Sequence, residues 1–390
     1  MRIIWPDIEP RCITGKTYQT GMFEHPIVFC HFEIAAAHQS AAVKIGTLII
    51  DEAHRLSNPK AQQTKAVLFW ATKAEQVIPL TGTPLWNQPP GLWSLLSAVN
   101  PGAWGTHFQF SQRYGNPTMT EHGWRYFGAS HGEELQERLR ETMIARTWSQ
   151  VRNDLPPTNW HIEVVPLPEA DRERVEIAAA MMRDSMADPD GGVRTHNYYK
   201  QAVGRFKVAR AAALALNVLR GEHEPGKPEP VVVWAWHKKV VAAIADRLTE
   251  AGYAPEVVTG DDDEADRVIA MDRWRKSETP RAIILTMAVG QVGIDLSHAS
   301  EAVFAELEFT PVVVAQSAFR TFSEDRAMTV RFVVVDHEAD RRMAAALLQK
   351  METGEAIGVA AAEGPLDIVA HAFGTTPAEA HGDLSRLTAS

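Results

Sequence analysis

A chain of 390 residues exceeds one typical domain, and its 45% hydrophobic content supplies more than one sizeable core. A net charge of −10 excludes a protein that coats polyanions generally, while leaving room for a local basic groove. With only Cys12 and Cys30, no disulfide framework or Cys-rich zinc site is expected; no apolar run is long enough to span a membrane, so the expected setting is reducing and cytoplasmic, without a membrane partner.

Short β-like runs, among them Pro26–Cys30, precede an Ala-rich stretch that predicts a helix from Glu33 to Val43. Thr47-Leu48-Ile49-Ile50 then runs as a strand straight into Asp51-Glu52-Ala53-His54. In a nucleotide-hydrolysing α/β fold, a buried parallel strand ends at its ligand crevice, so acids at that edge face bound phosphates. Two adjacent acids there divide the labour. Asp51 is expected to hold Mg²⁺, mostly through water, and Glu52 to orient and deprotonate the attacking water. His54 is expected to couple this site to a neighbouring lobe. Taken alone, the same residues also suit a capped helix start.

Ala61–Ala71 reads as a helix, and Val77–Leu80 as a strand entering the tight turn Thr81-Gly82-Thr83-Pro84. Trp86, Trp93 and Trp104 read as packing residues. Glu133–Arg146 is an amphipathic helix, and Leu155-Pro156-Pro157 marks a lobe boundary. Helical segments with one strand, His161–Pro166, lead to a linker rich in Gly, Pro and charge from Gly221 to Pro230.

Beyond it, strand and helix alternate. Strands are predicted at Val231–Trp236, Glu256–Val258, Ala282–Thr286, Ala302–Glu306 and Thr329–Val335. Helices are predicted from Lys238 to Gly252, Pro311 to Phe322 and Glu338 to Met351. Asp261-Asp262-Asp263 suits a helix start better than a metal site. Repeated β-α units imply a parallel sheet covered on both faces. The resulting division is 1–156, a first lobe; 157–229, a helical segment and linker; 230–352, a second lobe; and 353–390, a tail.

Several stretches together resemble superfamily 2 helicase-like ATPases of the Swi/Snf branch. Asp51–Pro59 is similar to that branch's motif II. Leu80–Asn87 with Leu92–Leu96 looks like motif III and its following helix. Met143–Thr147 with Asp154–Pro157 is similar to the passage out of the first lobe, and Gly204–Val208 resembles a Gly-x-x-Lys segment with Lys207 as the lysine. Leu285–Leu296 looks like motif V, and Gln316–Arg320 like the start of motif VI. Phe304–Pro311 leans towards the annealing-helicase, fork-remodelling group. Motifs in the family's order, across roughly residues 20–350, are far more specific than any one of them.

The resemblance implies two RecA-like α/β lobes with parallel sheets and a cleft between them, the first lobe incomplete at its N-terminus. It implies an ATP- and Mg²⁺-dependent motor on DNA, duplex or forked. Asp51, Glu52 and Arg320 would be catalytic. Asp51, His54, Gly293, Asp295 and Gln316 would meet nucleotide or DNA, and Thr81, Gly82 and Thr83 would link hydrolysis to DNA.

Two departures qualify this. Gly15-Lys16-Thr17 has Pro10 where a phosphate loop's first glycine belongs, and lies too close to Asp51; it reads as a turn after a strand, with Pro26–Glu33 as the strand before Thr47–Ile50. Motif VI has Ser323 where a second arginine is expected, with Arg326 one turn further on. These departures predict weak hydrolysis by this chain alone. They keep two rivals open: a non-catalytic remnant or split subunit completed by a separately encoded N-terminal fragment, and another superfamily 2 motor, acting on RNA or in a restriction system.

Overall fold

The computed structural model describes residues 8–17, 19, 21–41, 43–82, 84, 88–120, 123–126, 128–146, 156, 158–186, 192–223, 226–290, 294–306, 311–337 and 340. Thr83, Trp86, Gly293 and the predicted tail fall outside them, as does nearly all of the predicted helix Glu338–Met351. The described residues fall into two compact units, one within 1–145 and one within 146–351.

In the first unit, β1 (Arg11–Ile13) pairs parallel with β2 (Val28–Cys30). The predicted helix from Glu33 is much shorter: α1 spans Phe32–Ala35 and one 3₁₀ turn carries it to His38. The buried His38 ring bonds the Gly15 carbonyl at 2.9 Å, a tertiary tie that overrides the helical propensity of the alanines around it. β3 (Ile45–Ile50) and β4 (Ala74–Pro79) are parallel, joined by α2 (Gln62–Ala71), a β-α-β unit. Ile50, Leu56, Val67, Ala71 and Leu95 form its core.

α3 (Trp93–Val99), α4 (His107–Tyr114) and α5 (Gly132–Arg140) enclose a second small core of Leu92, Leu96, Trp104, Phe110, Tyr114 and Leu135. Thr106 starts α4 with a capping box to Gln109. Trp104 is buried under the Arg138 guanidinium at 4.0 Å, a packing role. A hairpin of β5 (Pro117–Thr120) and β6 (Gly123–Tyr126) stands between α4 and α5.

The second unit holds a six-stranded, all-parallel sheet. Its strands in chain order are β7 (Thr158–Val165), β8 (Val231–Ala235), β9 (Glu256–Val258), β10 (Ala282–Thr286), β11 (Glu301–Phe304) and β12 (Met328–Val335). Their order in space is β7-β12-β11-β8-β10-β9. β8 and β10 are buried at every residue, as strands covered on both faces must be. The helices are α6 (Glu169–Met186), α7 (Gly192–Arg220), α8 (Lys238–Glu250), α9 (Glu264–Arg275), α10 (Met287–Gly290) and α11 (Pro311–Phe319).

Within residues 157–229, β7 joins this sheet and α7 packs against it. β7 forms its edge, and Val208, Ala211, Leu214, Ala215 and Val218 of α7 pack into the core beside Val231 and Val233. Arg331 of β12 bonds both Glu301 of β11 and Glu163 of β7, tying the edge strand in place. Asp263 caps α9, its carboxylate accepting the Asp266 amide at 2.9 Å, so the acidic run is a helix start. Among the described residues no helix is long and apolar enough to cross a membrane.

Candidate functional site

The acids expected from the sequence, Asp51 and Glu52, follow the end of β3, and the ladder continues there beyond the strands. The Leu80 amide donates to the Ile50 carbonyl at 2.8 Å, and the Ala53 amide to the Leu80 carbonyl at 2.9 Å. This brings Asp51 and Glu52 beside Thr81. Glu52 adopts φ 47° and ψ 46°, the left-handed region that non-glycine residues seldom occupy. Its amide donates to Asp51 Oδ1 at 2.9 Å, and a 3₁₀ turn begins at Ala53. The bend turns the chain sharply while Asp51 stays exposed and Glu52 is 38% exposed.

His54 is buried beneath them, 4% exposed. Its Nδ1 lies 3.0 Å from Thr81 Oγ1 and 3.2 Å from a Glu52 carboxylate oxygen. Burial, then the Arg55 guanidinium, lower its pKa to about 4, against a smaller pull upward from Asp51. The ring is neutral at pH 7. Because an ionised carboxylate only accepts, Nδ1 carries the proton. His54 thus ties the two motif-like stretches within the first unit.

Could this site take a divalent metal and a nucleotide? Among the described residues no cluster of three or more His, Cys, Asp or Glu could hold a metal ion. Mg²⁺ needs less, one carboxylate with water and substrate phosphates, and exposed Asp51 suits that. A phosphate cradle is another matter. Gly15-Lys16-Thr17 lies in a bend after β1, with the Gly15 carbonyl turned to His38, and α1 begins only at Phe32. Among the described residues no helix N-terminus directly follows it.

In the second unit, Asp295 is exposed. The Ser297 amide, at 3.0 Å, is the main cause holding its carboxyl below the usual range, with Arg275 adding to it. Arg320 donates from Nε to the Gly290 carbonyl at 3.2 Å, joining the motif V-like and motif VI-like stretches. Gln316, on α11, is half-buried. A Cβ on Gly290 would stand 2.4 Å from Ser317 Oγ, so only glycine lets α10 approach α11 this closely. Arg326 donates to the Ser297 carbonyl at 2.6 Å.

Two features escaped the sequence. Lys207 is buried against Asp340, with 2.7 Å between Nζ and Oδ2, and the Tyr199 hydroxyl donates to Asp340 Oδ1 at 3.0 Å. Burial and that carboxylate push the Tyr199 phenol well above its ordinary value. Glu306 and His237 form a second pair, with 2.7 Å between Oε1 and Nδ1. Both unite residues far apart in the chain, which only knowledge of the strand order reveals.

Residues 12–191 match the family described as SNF2-related domain, and residues 213–323 the helicase conserved C-terminal domain. The chain thus carries an SNF2-related domain followed by a helicase conserved C-terminal domain, the order in which its motifs stand. It is 28% identical over 345 residues to the SWI/SNF-related matrix-associated actin-dependent regulator of chromatin subfamily A-like protein 1 of Xenopus tropicalis, covering 86% of this chain and 36% of that protein. It is 25% identical to the DNA annealing helicase and endonuclease ZRANB3 of Mus musculus, covering 78% of this chain and 29% of that protein. The chain thus spans about a third of the length of these relatives. A solved Sulfolobus solfataricus SWI2/SNF2 ATPase core in complex with dsDNA shows 17% identity and a TM-score of 0.42, over 91% of this chain and 78% of that one.

Proposed function

We propose that this chain is the motor portion of a DNA translocase that couples ATP hydrolysis to movement on, or remodelling of, duplex DNA. The observation that carries the reading is the Asp51–Glu52–His54–Thr81 constellation inside a matched SNF2-related domain. Glu52 takes a proton from water as that water bonds to the γ-phosphorus and the bond to the β-phosphate oxygen breaks. Asp51 would hold Mg²⁺, which would supply charge neutralisation on the phosphates. His54 orients Glu52 and, through Thr81, senses the Thr81-Gly82-Thr83 turn that links hydrolysis to DNA. In the second unit, Arg320 serves the phosphates, and Gly293, Asp295 and Gln316 contact nucleotide or DNA. Likeness to an annealing helicase favours junctions or forks as the preferred DNA, and DNA repair as the setting.

ATP turnover with and without duplex DNA tests this. DNA-stimulated turnover that vanishes in Glu52→Gln supports it; equal turnover in that variant removes Glu52 from its role.

A second reading, a non-catalytic DNA-binding subunit, draws on the bent Gly15-Lys16-Thr17. It also draws on Ile49 and Leu80, 61% and 48% exposed, an apolar surface at the β3–β4 pair that suits a partner polypeptide. Duplex binding without turnover distinguishes it. Robust turnover lost in Lys16→Ala restores Gly15-Lys16-Thr17 as a phosphate loop.

A further inference from the structure

The second unit has a cavity of about 160 Å³ between the later turns of α7 and the β7 side of the sheet. Leu214 and Val218 of α7 give it an apolar wall, while Glu163 of β7, Glu301 of β11 and Arg331 of β12 enter from the strands. Glu301 opens β11 and pairs with Val231, which opens β8. The cavity thus lies towards the N-terminal ends of these strands, whereas the motif V-like stretch follows the C-terminal end of β10.

His223, in the link from α7 to β8, lines this cavity. Its side chain is 7% exposed, and neither ring nitrogen has a hydrogen-bond partner among the described residues. Nε2 stands 3.8 Å from Glu229, beyond hydrogen-bonding reach. Glu229 is engaged by Lys227 at 3.3 Å and by the Ser300 hydroxyl instead. A buried imidazole that neither gives nor takes a hydrogen bond is costly, so a group that enters the cavity and meets it is favoured.

The charges decide which kind of group. Arg331 donates from Nε to Glu301 Oε1 at 2.6 Å and from a terminal nitrogen to Glu163 at 3.1 Å. Arg210 also ends on Glu163, at 3.2 Å from Nε. Both guanidiniums are answered, which leaves neither for an anion. Glu301 is 3% exposed, and its Oε2 has no donor among the described residues. Burial pushes its carboxyl up, while Arg331 and then His223 draw it down. Glu222 stands exposed at the rim. Three carboxylates against two guanidiniums leave the lining with one negative charge in excess and with open acceptors.

A bare metal ion does not suit it: among the described residues no group of three His, Cys, Asp or Glu could hold one. Leu214 and Val218 call for carbon. A cavity of this size holds a ligand of about six heavy atoms, as one of about 150 Å³ holds benzene.

We infer that this cavity takes a short primary alkylammonium, whose N–H groups donate to Glu301 and to the bare nitrogen of a neutral His223 while its chain lies on Leu214 and Val218. The inference does not rest on the motor reading.

The test titrates residues 1–390 with n-butylammonium by calorimetry, and follows the ring ¹⁵N resonances of His223. Controls are n-butanol, which lacks the charge, and tetramethylammonium, which lacks the N–H groups. Butylammonium should bind saturably and shift those resonances, with both controls at least tenfold weaker. His223→Ala should lower affinity about tenfold. His223→Gln, whose amide oxygen accepts from a similar place, should recover most of that. Glu222→Gln, at the exposed rim, should lose about threefold with thermal unfolding unchanged. Glu301→Gln should lose tenfold or more; if it fails to fold, the two His223 variants decide.

A cavity filled by water alone would give no saturable binding, and that would overturn the inference. So would equal binding of either control, undiminished affinity in His223→Ala, or a His223 ring already cationic in the free chain at neutral pH, which has no lone pair to offer.

Discussion

His54 Nδ1 sits 3.0 Å from Thr81 Oγ1 and 3.2 Å from Glu52, so a single imidazole joins the chain after β3 to the chain after β4. The ring is kept neutral by burial. A pH dependence follows. The folded pKa of about 4 lies below the ordinary 6.5, so the unfolded chain binds the proton more readily. Stability of the first unit should be full above pH 6.5, fall as pH drops towards 4, and level off below. The loss should be on the order of 2 kcal/mol, after allowing for solvent around Glu52. Urea unfolding at several pH values in this window reads it, and His54→Gln should flatten the slope. An equally steep slope in that variant would assign the dependence to other groups.

Thr81→Ala should leave the fold intact and separate hydrolysis from DNA. Basal ATP turnover should change less than about threefold, while stimulation by duplex DNA falls about tenfold or more, the loss of one coupling hydrogen bond and its alignment. Stimulation equal to wild type would show that the His54–Thr81 contact carries no coupling.

The Lys207–Asp340 pair is a stability element. Both groups are almost fully buried, and Asp340 also accepts the Val335 amide at 2.8 Å. Lys207→Met should destabilise the second unit by roughly 3–5 kcal/mol, because it strands a buried carboxylate. Lys207→Met with Asp340→Leu should cost less than the sum of the single changes. Additive losses in denaturant unfolding would mean the two residues act independently.

Gly290→Ala should cost roughly 1–3 kcal/mol by overpacking against Ser317. Adding Ser317→Ala or Ser317→Gly should return part of it. Full stability in the single variant would show that α10 shifts freely against α11.

Where the sequence was legible, local pattern decided the outcome. Val231–Ala235 is apolar throughout and Ala282–Thr286 is apolar up to its last residue, as buried strands are, and α8 showed its core face in Val240, Val241, Ile244 and Leu248. The acids after β3 were legible because a strand's end and an adjacent acid pair are contiguous in the chain. Other features hung on tertiary contacts. The helix predicted over Glu33–Val43 stops early because His38 bonds Gly15. The strand read at His161–Pro166 is present as β7, but its place beside β12 was not legible, because the two pair at a separation that no local window reads. The partners of Lys207 and His237 were hidden for the same reason. A polar side chain's partner depends on strand order, and strand order is not periodic.

Binding of residues 1–390 to duplex DNA as salt is raised from 50 to 200 mM tests the central claim most directly, because a motor that tracks DNA must hold its backbone whether or not it turns over ATP. Neutralising about five phosphates predicts a log–log slope near −4.5 and a fall in affinity of roughly 500-fold across that range, despite the chain's net charge of −10. A slope near zero, or no measurable duplex binding at the lower salt, would contradict the account.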